Sequence, residues 1–579
     1  MQSDIKEPTV ETTQKSTFKW VIDKPASEDE QKVFWNQLKQ FYRTGELPQG
    51  YKTGKSLSIF SKIRTEEEDH YPFKAGDLEF VFNPDLPFEI LKHQIADNQK
   101  QTIGTFKQKL QDLVSSLSKL LNVQEEEADN DGVYDFAKEI IAFDKLSGLI
   151  PKNEGTKLSK ARSNRLMKVF ENLKKGLEYY GKEKATLLVA GDIKVEPKNF
   201  NQVNVQLLEE SKAFATAEHL LTKQMNFFVD IIQSLRIAEL EVEGDYQEEI
   251  HDEFFTHFTW YRLSEAEKNL FLPFILVLKQ GFAISHLDKY SRLLTTNWPI
   301  KMLVLNHQVV SEPDEKVSWE DASHRFRQEL TSITISHRSV FTFQTTLDDP
   351  KLLFDGLSTF VETGSPAVAH ILIPSSNKQA DILSSWAALA GRYFPAIKYD
   401  PNTNKSEGNR ISLEGNKQPG KDWPIYHVEI VSDENTKADQ EVALTYADYK
   451  AINLNKMKEL LIIPSGFPSD HLVLLTDYLT MPQDQLVGKI PYIWLTDDEL
   501  NLSRAAVPNV WVVSCQERLD FWNFLKEIGG VPAEEDGKVS PEEEIAKLKA
   551  THQEEIRQIK DAAVSQAAEQ LIQVLLTEE

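Results

Sequence analysis

The stretch FILVLKQGFAISHL, residues 274–287, decides how this chain is read. Five apolar residues, Phe274 to Leu278, have the length and composition of a strand buried on both faces. Lys279-Gln280-Gly281 then hands over to a helical pattern. The same texture recurs in TLLVA (186–190), MLVL (302–305), SVFTF (339–343) and AVAHILI (367–373). Helical segments lie between these runs, the clearest carrying Phe214, Ala217, Leu221, Met225, Phe228, Ile232 and Leu235 at steps of three and four. Alternation of this kind predicts an α/β domain over 186–435, a mostly parallel sheet with helices on both faces. In such sheets ligands sit beyond the carboxyl ends of the strands, which makes Lys279 and Gln280 candidate site residues.

Outward from this domain the texture changes. Residues 1–28 are polar and read as a disordered tail. Residues 29–185 read as a mainly helical N-terminal region, opening with Val33, Phe34, Leu38 and Phe41 at helical spacing. After the α/β domain, ELLIIP (459–464), PYIWLT (491–496) and VWVVSC (510–515) read as strands of a small α/β unit over 436–535. Residues 540–579 read as a long amphipathic C-terminal helix, with Ser540 as N-cap, Pro541 at its first position and a stripe of Ile556, Ile559, Ala563, Ala567, Leu571 and Val574. That stripe is expected to bury itself against the body of the protein, a partner subunit or a coiled coil.

Charge and cysteine usage narrow the function classes. A formal net charge of −25 argues against nucleic acid and anionic lipid as partners. The single cysteine, Cys515, allows no disulfide framework and no Fe–S cluster held by this chain alone. The N-terminus has no secretory apolar region, and the longest apolar run, Leu270–Leu278, is far shorter than the roughly 20 residues of a membrane span. A soluble, cytoplasmic protein is expected.

Several local patterns carry less chemistry than they first suggest. In EEIHDEFFTHF (248–258) the two histidines, His251 and His257, stand six residues apart rather than four, so a polar helix start is expected there and not a zinc site. VAGDI (189–193) reads as a strand and tight turn, Cys515 as a small core residue, and His337-Arg338 as a pair satisfying nearby carbonyls. The basic segment 156–184 reads as a solvated helix or an internal docking face.

Over residues 272–404 the order of features resembles the thiamine-diphosphate domain of the pyruvate:ferredoxin and related 2-oxoacid:ferredoxin oxidoreductases. LDKYSRLLTTNWPIKMLVLNHQVVSEP (287–313) is similar to the family's helix, strand and metal-binding loop. The stretch from RFRQELTSITISHRSVFTF (325–343) to AVAHILIPSS (367–376) resembles its next strand, helix and strand. LAGRYFPAIKYDPNTNKSEGNRISLEG (389–415) is similar to the segment that follows.

The resemblance places the family's Gly-Asp-Gly at Leu278-Lys279-Gln280, its Asp-Thr at Asn306-His307, and its later asparagine at Glu312, followed by Pro313. In the family the aspartate holds the Mg²⁺ that clamps the cofactor's diphosphate. Here an ammonium replaces it, and the loop's glycines and the cluster-binding cysteines are absent. The resemblance therefore implies a degenerate copy whose cofactor-binding positions are Lys279, Gln280, Asn306 and His307. It implies no catalytic residue, no metal and no resident cofactor, and a structural or regulatory role alongside a protein partner or in a homodimer formed through the α/β domain and the C-terminal helix. The alternative is an active thiamine-diphosphate-dependent component with Fe–S partner subunits, in which Lys279 meets the diphosphate directly. A general scaffold whose C-terminal helix docks a partner is the third reading.

Overall fold

A computed structural model describes residues 17–21, 27–51, 56–64, 71–98, 103–125, 160–182, 184–195, 200, 203–307, 329–374, 379–403, 410–432, 436–453 and 460–532. The architecture is mixed α/β, organised on an eight-stranded sheet. Across the sheet the strands run Val203–Leu208, Ala185–Ala190, Phe274–Lys279, Ile300–His307, Ala367–Ile373, Phe341–Thr345, Ile397–Tyr399 and Ile411–Ser412. The first six are parallel, and the last two add antiparallel at one edge.

The apolar runs are continuous because both faces are covered. Leu276, Leu278, Met302 and Val304 face one core. The helices Gly104–Glu125, Lys160–Lys182 and Ala213–Glu243 contribute Leu110, Leu173 and Phe228 to it. Ile275, Val277, Leu303 and Leu305 face the other core, packed by the helices Leu86–Asn98 and Pro350–Glu362 through Leu91 and Leu357. Alternate residues of one strand thus enter two separate cores.

Helices from the N-terminal stretch 29–185 therefore clothe the large sheet. The basic segment supplies one of them, where Arg162 and Arg165 both grip the buried carboxylate of Glu241, at 2.8 and 2.9 Å.

A third core joins distant parts of the chain. Ile462–Ile463, Leu502–Ala506, Ile490–Thr496 and Leu472–Leu474 form a second sheet, to which Leu57–Ser58 adds antiparallel along Ile490–Thr496. A third sheet consists of Thr17–Trp20, Ile425–Ser432 and Lys437–Ala443. Thr17–Trp20, inside the stretch expected to be disordered, is thus a paired strand, with Phe18 fully buried. The last two strands of that sheet are an antiparallel pair that straddles position 435, where composition placed a domain limit.

VWVVSC corrects a second expectation. It opens a helix, Asn509–Gly529, rather than forming a strand. Val512, Cys515, Leu519, Trp522 and Leu525 are its buried stripe, and this period of three and four extends past the short apolar run. Cys515 is fully buried, and burial pushes its thiol far above the ordinary range. The expected C-terminal helix, 540–579, lies outside the described residues. Among the described residues no helix is long and apolar enough to cross a membrane.

Candidate functional site

Beyond the carboxyl ends of the parallel strands the sequence-predicted residues come together. The strand Phe274–Lys279 runs directly into the helix Gln280–Ser285, so Lys279 and Gln280 stand at the crest. Asn306 and His307 end the neighbouring strand, in which Leu305 pairs with Lys279. His307 is in turn registered with Ile373 on the next strand. All four candidate positions thus occupy one edge of two adjacent strands.

The Lys279 ammonium forms an ion pair with Asp192, which follows the adjacent strand Ala185–Ala190. Gly191 makes this approach possible. It has φ +77°, a backbone conformation that strains other residues, so the turn that presents Asp192 favours glycine. The hydrogen bond from Lys279 holds the Asp192 carboxyl below its usual range. His307 titrates below an ordinary histidine, first because the strand ends desolvate it and second because Lys279 repels its charged form, with Asp192 opposing. The crest is a small coupled cluster of one cation, one anion and one imidazole.

Beneath it runs a buried polar chain that pattern reading missed. Gln280 lies 2.9 Å from His370 Nε2, while His370 Nδ1 lies 3.1 Å from both Gln344 Oε1 and Thr331 Oγ1. Gln344 donates its amide to Pro395 O at 2.9 Å, and its Oε1 accepts from the Thr331 hydroxyl. Gln280 turns its Oε1, an acceptor, toward His370 Nε2. Burial lowers this imidazole to about 3, so it is neutral. The signal was present as a lone histidine in AVAHILI and a lone glutamine in FTFQT, polar groups inside fully buried strands. Such groups need partners.

Farther along the same edge, Asp348 follows the strand Phe341–Thr345 and accepts from Arg64 at 3.3 Å, both side chains being nearly buried. Asp192 and Asp348 along this edge are thus each paired with a cation. Among the described residues no group of three or more His, Cys, Asp or Glu is arranged to hold a metal ion.

The other motifs have local roles. His251 Nδ1 accepts the Gln247 N–H at 2.9 Å at the start of the helix Glu248–Thr256, and His257 closes that helix. His337 Nε2 meets Ser291 Oγ at 3.0 Å, while Arg338 takes φ +63° just before the strand Phe341–Thr345. No family model matches the chain, and no curated protein matches it.

Proposed function

We propose that the α/β domain is a degenerate relative of the thiamine-diphosphate domain of the 2-oxoacid:ferredoxin oxidoreductases, acting as a non-catalytic structural or regulatory subunit in the cytoplasm. The observation that carries this reading is the Lys279–Asp192 ion pair. The resemblance puts Lys279 at the position of the family's metal-binding aspartate, and the Asp192 carboxylate is paired with it. This donor set does not fit Mg²⁺, which requires oxygen ligands and is repelled by an ammonium at ligand distance. The mostly parallel sheet with helices on both faces is the architecture that the resemblance implies.

One feature favours the active alternative. The Asp192 side chain is 80% exposed, so a diphosphate could take its place on Lys279 at little cost. Calorimetric titration of the purified chain with thiamine diphosphate, with and without Mg²⁺, separates the two. The non-catalytic reading expects no heat from wild type in either condition. Metal-independent binding that Lys279→Asp weakens would overturn it in favour of a component working with Fe–S partner subunits.

A further inference from the structure

Among the described residues the outer strand of the large sheet, Val203–Leu208, pairs on one side only, with Ala185–Ala190. Its sequence, VNVQLL, contains no charge and no proline, the devices that ordinarily keep an edge from pairing. This is unusual in a chain of net charge −25. Leu207 is 59% exposed on it.

Backbone direction is fixed by a hydrogen bond at the strand's end. Leu208 O accepts the N–H of Gly191 at 2.9 Å, on the side of the inner neighbour. The N–H and C=O of one residue point the same way and alternate along a strand. Asn204, Gln206 and Leu208 therefore turn inward, and Val203, Val205 and Leu207 present their backbone groups to the open edge. The Val203 N–H is already given to Phe200 O, at 3.1 Å, which leaves Val205 and Leu207 as the outward donors.

We propose that this edge is the homodimer interface, pairing antiparallel with the same strand of a second copy about a two-fold axis through Val205. Only a register in which paired positions share parity keeps the faces of the two sheets continuous. Centring on Val205 sets Val205 against itself, Val203 against Leu207, and Asn204 against Gln206. Every outward donor then meets an outward carbonyl, apolar side chains meet apolar ones, and amides meet amides. The first charge after the strand, Glu209, is matched within its own chain by Lys212 at 2.8 Å. A second copy is the occupant that this self-matching pattern fits. The inference does not depend on whether the crest binds a cofactor.

The test uses the full chain with Val205→Cys or Asn204→Cys under mild oxidation. Paired positions on the axis lie about 5.5 Å apart between Cα atoms, within disulfide reach, whereas two copies of position 204 are offset along the strands. Cys515 is buried and does not compete. Sedimentation of wild type is expected to give a species of twice 66.2 kDa, its fraction rising with concentration and, because the copies repel, with salt. V205C is expected to crosslink and N204C not. Leu207→Lys, at an exposed position, is expected to stay folded by circular dichroism and to need about tenfold more protein to dimerise. A monomer at every concentration, equal crosslinking of both cysteine variants, or dimerisation unchanged by L207K would overturn the proposal.

Discussion

Replacing Lys301 by methionine separates the packing of a buried amine from its proton. Lys301 is 2% exposed at the start of the strand Ile300–His307. Its amine donates to Thr363 O and, at 2.7 Å, to Ser365 O, with no carboxylate among the described residues within ion-pair distance. A neutral amine has two N–H groups for these two carbonyls, whereas an ammonium brings a third donor and a charge into the core.

Burial lowers the amine from 10.5 to about 7. Because the folded value is depressed, the unfolded chain binds more protons between pH 7 and 10.5, and stability rises with pH across that window. From pH 7 to 9 the gain is about 2 kcal/mol. Lys301→Met abolishes this slope and adds a pH-independent cost of about 1–3 kcal/mol for carbonyls left without donors. Urea unfolding of both proteins at pH 7, 8 and 9 should show wild type gaining about 2 kcal/mol on the variant, so that the gap between them changes with pH. A constant gap would mean that the amine keeps its proton on folding, and would refute the argument.

Three further outcomes follow from the same structure. Asp448 is 2% exposed, and burial raises its carboxyl to about 7 against hydrogen bonds from the Thr445 N–H and hydroxyl. Wild type should therefore lose about 2–4 kcal/mol relative to Asp448→Asn as pH rises from 4 to 7, measured by denaturant midpoint. Lys279→Met should raise the His307 titration followed by NMR, and Asp192→Asn should lower it, since Lys279 disfavours and Asp192 favours the charged ring. If neither variant moved His307, the crest would not be coupled. Gly356→Ala, which gains about 1 kcal/mol in an ordinary helix, should instead cost about 1–3 kcal/mol and lower the melting temperature, because its Cβ would stand 2.2 Å from Phe343 Cζ.

Five of the six parallel strands were legible because a strand buried on both faces must be apolar at every position, and Phe274–Leu278 and Ala367–Ile373 are close to that pattern, whereas the partly exposed outer strand Val203–Leu208 carries no such run. Lys279 and Gln280 were legible because they directly follow such a run, whereas Asn306 and His307 entered through the family resemblance. Misreading VWVVSC came from a run too short to distinguish the two periods, which only the spacing out to Leu525 resolves.

By itself, the sequence determined the local periods and therefore the α/β class, the strand ends at which a site would lie, and an acidic chain without disulfides. Tertiary structure decided which distant groups meet. Asp192 reaches Lys279 across 87 residues, and His370 reaches Gln280 across 90. Thr17–Trp20 pairs with a strand some 400 residues later, placing Thr17 beside Glu429. These pairings follow from strand order and register, which depend on how separate apolar faces find one another, and no local pattern records that choice.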